Sequence, residues 1–290
     1  MLNIIQVLQL LALATCTSIG KRKQMQSQGI ARINRIESLI QRENNYDEKK
    51  ELQGLLKRGD NYNAELFTPE HQEFKRHHNQ VFFVLSKHCM EFSNCTDVFY
   101  LDGKDCGTTT FLSQEMDFLR SNLYTANIFP ETVNSLLNHR SGPQHVFHGK
   151  AQDILANELK SKQFVGYYLD GCGGNVSPLI SMIEAIFSNS RIMCSAFALG
   201  FTILNQDSIG IKSLCDREQE VTRFVATKCK HRSLHMFYVG DSPEEFGLSS
   251  SPIKRQEGGY TQTIWLIILT DEGEEKHNKR FLVPSNFREY

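Results

Sequence analysis

The sequence predicts an α/β fold: a parallel sheet with helices on both faces over residues 145–290, preceded by a mainly helical N-terminal region. Three observations predict it. Apolar runs of strand length alternate with helix-like segments in the C-terminal half, as in chains that cross over between parallel strands. Those runs are apolar on both faces, which suits strands covered from either side. Three of the four end in an aspartate, the place where such sheets bind ligands.

Bulk properties set the frame. The 290 residues are 40% hydrophobic and 22% charged with a formal net charge of −1, so the chain is globular and has no global basic excess for a polyanion. Eight cysteines (16, 89, 95, 106, 172, 194, 215 and 229) form no C-x-x-C pair and match no zinc spacing, so no metal site is expected. Three of them, Cys172, Cys194 and Cys215, fall in or beside apolar segments where a reduced thiol packs as a small hydrophobe, which favours a reducing compartment, cytoplasmic or nuclear. Residues 1–25, "MLNIIQVLQLLALATCTSIGKRK" and on, are signal-like in their apolar run but lack basic residues before it and are too short to span a bilayer. The sequons at Asn94 and Asn175 matter only in a secreted chain.

Residues 26–65 read as a polar helical arm, with Ile33, Ile36 and Ile40, then Leu52, Leu55 and Leu56, at helical spacing. Residues 66–140 read as a helical accessory region. Its first helix carries Phe74, Val81, Val84, Leu85 and His88 on one face, "DGKDCGTTT" is a break, and a second helical piece spans about 114–138. "NHRSGPQ" (138–144) reads as a linker.

From 145 the pattern changes. "KAQDILANELK" (150–160) is helix-like and leads to a strand, "FVGYYLD" (164–170). "YYLDGCGGNV" then crowds Gly171, Gly173 and Gly174 after Asp170, before an apolar helix with Leu179, Ile183 and Ile186. Glycines there allow close approach of backbone to a ligand. The spacing is neither G-x-G-x-x-G nor a P-loop, which argues against a nicotinamide dinucleotide or a nucleoside triphosphate. Further strands are "RIMCSAFAL" (191–199), "LHMFYVG" (234–240, closed by Asp241) and "TIWLIILT" (263–270, closed by Asp271), with a helix near 215–229.

Strand, Asp170, Gly173–Gly174, helix, second strand, then a strand ending in Asp241: this order resembles the Rossmann-like class I S-adenosylmethionine-dependent methyltransferases, and most of all the FtsJ-type RNA 2′-O-methyltransferases. The resemblance implies S-adenosylmethionine as cofactor, held by Asp170, Gly171, Gly173, Gly174 and Asp241, with RNA as partner. The turn is short, and the family's Ala-Pro before Gly-Gly is missing. The family's catalytic set is Lys-Asp-Lys-Glu. By resemblance Asp271 supplies the Asp, and Lys150, Lys160 or Lys162 the first Lys, with Lys150 preferred. The chain ends at Tyr290, so the resemblance implies a sheet cut short after its fourth strand, without the second Lys and the Glu at the family's positions.

Two other readings stand beside this one. "CGGN" (172–175) echoes the trimethylguanosine-synthase-like cap methyltransferases, although "SSPIKRQEGGY" (250–260) lacks their second proline and tryptophan. Trp265, the sole tryptophan, sits mid-strand and is expected in the core. The other reading is a catalytically inactive fold that binds RNA or protein through "KRHH" (75–78), "KCKHR" (228–232) and "IKR" (253–255).

Overall fold

A computed structural model of the chain describes residues 69–170, 176–188, 194–205, 211–239, 253–254, 260–280 and 288–289. The chain divides into two compact units, Met1–Arg58 and Gly59–Tyr290. The described residues all belong to the second. The N-terminal segment, the polar arm, the glycine turn 171–175 and Asp241 lie outside them. Among the described residues, no helix is long and apolar enough to cross a membrane.

Helix α1 (Pro69–Met90) comes first, with Glu70 in its first turn and Lys87 and His88 in its last, the order that suits the helix dipole. Strand β1 (Val98–Tyr100) follows, then α2, a turn of α-helix (Gly107–Thr110) that widens into a π-helical turn (Phe111–Glu115). Next come β2 (Leu123–Asn127), α3 (Pro130–Asn138) and β3 (His145–His148). Helix α4 (Ala151–Asp153, widening over Ile154–Glu158) precedes β4 (Gly166–Leu169). The chain continues through α5 (Ser177–Ser188), β5 (Ala196–Asn205), α6 (Ile211–His231) and β6 (His235–Tyr238). Last come β7 (Ile253–Lys254), β8 (Tyr260–Leu269), α7 (Asp271–Arg280) and β9 (Arg288–Glu289).

The strands form one sheet in the order β3-β2-β1-β4-β5-β8-β6-β9, with β7 paired to β8. Strands β1 to β5 are mutually parallel. The run 3-2-1-4-5 is the doubly wound order, which makes this a Rossmann-like sheet. Side chains alternate strictly between its faces. Phe99, Tyr167, Leu169, Phe197, Leu199 and Phe201 pack with α4, α5 and α6; Val98, Tyr100, Tyr168, Ala198, Trp265 and Ile267 pack with α1 and α2. Fully burying side chains of this size stabilises the fold by about 1.5–3 kcal/mol each.

Four expectations are corrected. Residues 66–140 are not a separate helical region, because they supply β1 and β2 to the same sheet. "NHRSGPQ" is not a domain linker but the short turn from α3 into β3, where Gly142 donates to the His139 carbonyl and accepts from Arg120 Nε at 2.6 Å. The sheet is not cut short after a fourth strand, since the four strands read from the sequence are β4, β5, β6 and β8, and three strands precede them. Nor is it wholly parallel: β8 runs antiparallel to both β5 and β6.

Glycine is required at two close approaches. At Gly166 in β4 any Cβ would strike Ser86 and the Phe82 ring of α1, so α1 lies directly on the strand. At Gly200 in β5 a Cβ would enter the Trp265 ring, which stands opposite in β8. Trp265 is buried, as expected, and its Nε1–H donates to His78 Nδ1 of α1 at 3.0 Å.

Candidate active site at the carboxyl edge of the sheet

In an open α/β sheet ligands bind beyond the carboxyl ends of the strands, where the strand order reverses. Here that point lies between β1 and β4. These strands pair in register, Tyr100 against Tyr168, and Leu101 N–H donates to the Tyr168 carbonyl at 3.0 Å. Asp102 and Asp170 therefore end neighbouring strands.

Asp102 holds its own turn. Its carboxylate accepts from the backbone N–H of Gly103 (3.0 Å), Thr108 (3.4 Å) and Thr109 (2.9 Å), and from the Thr109 hydroxyl (2.6 Å). Cys106, at φ 53°, makes the left-handed step into α2. Burial pushes the Asp102 carboxyl up to about 6, against the lowering effect of its bonds from Thr109. The Thr108 hydroxyl donates to Asn79 Oδ1 of α1 at 3.1 Å, which fixes the helix to the turn. Asn127, the last residue of β2, donates to the Asp102 carbonyl at 3.2 Å and accepts from Phe129 N–H at 2.9 Å.

Asp170 carries the other half of the edge. Its carboxylate lies 3.5 Å from Lys75 Nζ, with both side chains mostly buried. One turn along α1, on the same helix face, His78 is fully buried between Phe74 and Trp265. Because Nδ1 accepts the indole proton, neutral His78 carries its own proton on Nε2, which has no hydrogen-bond partner. Burial and the adjacent His77 lower its pKa from 6.5 to about 3.

The residues singled out in the sequence separate on this frame. Asp170 stands at the carboxyl edge, but it ends the fourth strand rather than the first. Gly171, Gly173, Gly174 and Asp241 lie outside the described residues. Lys150 follows β3 on the carboxyl edge, with β2 and β1 between it and β4. Lys162 precedes β4 at the amino edge, where it pairs with Asp97 at 2.7 Å. Lys160 precedes β4 as well, and is exposed.

Asp271 is the main correction. Strand β8 is antiparallel, so its last residue, Leu269, sits opposite Ala196, the first of β5. Asp271 is therefore at the amino edge, away from Asp170, and the expected cluster of three carboxylates in one cleft does not form. Its local role is ordinary. Thr270 caps α7, accepting from Gly273 N–H at 3.2 Å, and Asp271, Glu272 and Glu274 fill the acidic first turn. Asp271 also accepts from His235 Nε2 at 2.9 Å.

Sequence reasoning missed Lys75, Asp102 and Asn127. The signal for Asp102 was "VFYLDGKDCG" (98–107), an apolar run ending in Asp with two glycines close behind. A cofactor at this edge would meet the main chain of Gly103–Gly107 and the half-buried Ile128 and Phe129 after β2. The turn fits such a group. Gly107 is exposed, and a Cβ there would meet only the Asp105 side chain, at 3.4 Å, so the backbone is open to close approach.

No protein-family model matches the sequence. No curated protein matches it. Among solved structures, the chain is similar to the plantazolicin methyltransferase BamL in complex with a triazolic desmethylPZN analogue and SAH. Identity is 12% over 69% of this chain and 90% of that one, with a TM-score of 0.44. It is similar to the Methanococcus jannaschii fibrillarin pre-rRNA processing protein at 11% identity, over 62% of this chain and 68% of that one, with a TM-score of 0.38. Aeropyrum pernix fibrillarin with natively bound S-adenosyl-L-methionine matches at 11% identity, over 58% and 65%, with a TM-score of 0.33.

Proposed function

We propose that the chain is an S-adenosylmethionine-dependent methyltransferase acting on a ribose 2′-hydroxyl of RNA. The observation that carries this is the Lys75–Asp170 pair at the switch point of a Rossmann-like sheet. The FtsJ-type resemblance asks for a Lys before the first strand and an Asp. With β1 at Val98–Tyr100, Lys75 precedes the first strand and Asp170 follows the fourth. This pair takes the roles that the sequence alone gave to Lys150 and Asp271.

Bound S-adenosylmethionine supplies a methyl group activated by its sulfonium charge. The chain's own residues act on the acceptor. Asp170 fixes the Lys75 ammonium at the mouth of the site. Lys75 donates to the acceptor oxygen and offsets the negative charge that grows as the hydroxyl proton passes to solvent water. Asp102 keeps the turn Gly103–Gly107 in one conformation, so that its main chain would hold the cofactor, and Ile128 and Phe129 would offer apolar contact to its adenine.

The rival readings have less support. Trp265 is buried in the sheet, so it has no free face to hold a cap guanine. "KRHH" is not a free basic patch: Lys75 faces Asp170, Arg76 pairs with Glu115 at 2.7 Å, and His78 is buried. "KCKHR" ends α6 just before β6, at the amino edge.

Calorimetry with S-adenosylmethionine, followed by transfer of labelled methyl to RNA and to its 2′-deoxy counterpart, tests the proposal. Binding is expected, with transfer to the ribose form alone. Lys75→Ala is expected to lower transfer by roughly 10²–10⁴-fold while cofactor affinity stays within a few fold. Absence of cofactor binding refutes the enzyme reading, and equal transfer to the 2′-deoxy RNA refutes the ribose acceptor.

A further inference from the structure

A buried tyrosine bonds into the network that holds the turn Gly103–Gly107. Tyr100, the last residue of β1, is fully buried, with its ring edge-on to Phe82 of α1 at a centroid distance of 6.2 Å. Its hydroxyl lies 2.7 Å from Thr109 Oγ1, and among the described residues Thr109 is its sole hydrogen-bond partner. The Thr109 hydroxyl has one proton, which it donates to Asp102 Oδ2 at 2.6 Å. Tyr100 is therefore the donor in the first bond, and the chain runs one way, from Tyr100 to Thr109 to Asp102. The carboxylate at its end is saturated. Oδ1 accepts from the N–H groups of Gly103 and Thr108, and Oδ2 from the N–H and hydroxyl of Thr109, which fills the acceptor positions of both oxygens. Any proton arriving on Asp102 displaces one of these donors. The N–H groups are fixed by the backbone. The Thr109 hydroxyl cannot reverse toward Tyr100 without leaving the buried Tyr100 proton short of an acceptor.

We propose that Tyr100 is a positioning residue for the cofactor turn: through Thr109 it holds Asp102 as a carboxylate with every donor in place. The relay follows from the bonds alone, whereas its bearing on S-adenosylmethionine rests on the function proposed above. Polarisation along the chain is the physical link. A hydroxyl that accepts a hydrogen bond donates a stronger one, so Tyr100 tightens the bond from Thr109 to the charged oxygen. Bonding to the charged form favours that form. Burial and the Asp105 carboxylate act against it, and Cys106 is the other titratable neighbour in the turn. From α1 and β2 the turn meets uncharged groups, Asn79 at the Thr108 hydroxyl and Asn127 at the Asp102 carbonyl. While the charge is kept, the N–H groups of Gly103, Thr108 and Thr109 share one acceptor group, and the main chain between them stays in a single conformation.

The test labels the full chain isotopically at its aspartate carboxyls and follows the Asp102 signal against pH by nuclear magnetic resonance, the signal being the one lost in Asp102→Asn. In the wild type it should titrate near pH 6. Tyr100→Phe removes the hydroxyl and keeps the ring, and should raise the midpoint by about one pH unit. Thr109→Ser keeps the relay and should leave the midpoint in place. Ring-fluorinated tyrosine, a stronger hydroxyl donor, should lower it without deleting any buried group. A tyrosine that serves only for packing changes the melting temperature of Tyr100→Phe and leaves the midpoint where it was, and that result overturns the proposal. An unmoved midpoint in the fluorinated chain overturns it too, and decides the matter where Tyr100→Phe does not fold. Calorimetry tests the consequence for the cofactor. With the charged form alone seating it, Tyr100→Phe should weaken S-adenosylmethionine binding about twofold at about pH 7 and about fivefold at about pH 6. A moved midpoint with an unchanged affinity profile overturns the role toward the cofactor. A moved midpoint in a chain that binds no S-adenosylmethionine at any pH upholds the relay and refutes the methyltransferase reading instead.

Discussion

His78 offers a measurable pH signature. Folding holds it neutral against Trp265, with its pKa lowered from 6.5 to about 3. Below about pH 6.5 the unfolded chain binds a proton there and the folded chain does not, so acidification favours unfolding until about pH 3. Between about pH 7 and about pH 5 this group alone withdraws about 2 kcal/mol. Asp102 works the other way. Its folded carboxyl binds a proton near pH 6, against 3.8 in the ordinary case, so over the same interval it returns about 1 kcal/mol. The wild type therefore shows a shallow profile from these two groups. His78→Gln removes the first contribution and keeps an acceptor for the indole. Its deficit relative to wild type should shrink by about 2 kcal/mol from about pH 7 to about pH 5. Urea unfolding followed by fluorescence of Trp265, the sole tryptophan, measures it directly. A gap that moves by less than about 0.5 kcal/mol would mean that His78 is not held neutral in the fold.

Gly200→Ala drives a methyl group into the Trp265 ring and should lower stability by about 1–3 kcal/mol, with a changed tryptophan emission spectrum; denaturant midpoints check it. Asp102→Asn places an amide NH2 among the N–H donors of Gly103, Thr108 and Thr109, and should cost about 1–3 kcal/mol together with S-adenosylmethionine affinity, as read by calorimetry. Asp271→Ala, at the amino edge, should leave methyl transfer within about twofold of wild type; a drop of about 100-fold would return Asp271 to the reaction centre.

The sequence pattern and the structure agree where apolar runs are long. Strands read at 164–170, 191–199, 234–240 and 263–270 correspond to β4, β5, β6 and β8, and the helices between them correspond to α5 and α6. Strands β1, β2 and β3 escaped because they are short: "VFY", "LYTAN" and "HVFH" offer too few alternations to display a period of two. Missing them shifted every later assignment, so the glycine turn after β4 was taken for the one after the first strand. Strand direction was equally hidden. Buried on both faces, "TIWLIILT" reads as a parallel strand, yet only pairing reveals that it runs backwards, and that reversal moves Asp271 to the far edge. Lys75 was invisible for another reason: it meets Asp170 from 95 positions away in the chain, through the packing of α1 on Gly166.

The late arrival of β8 has a consequence for biogenesis. A chain emerging from the ribosome completes β5 and β6 before it makes the strand that separates them. Until residues 260–269 are translated, Ala196–Leu204 presents a long greasy border with open amide and carbonyl groups, a ready template for association with other nascent chains. The centre of the sheet is thus zipped shut only after both neighbours of β8 have been made, and its solubility in that interval depends on whatever shields the border.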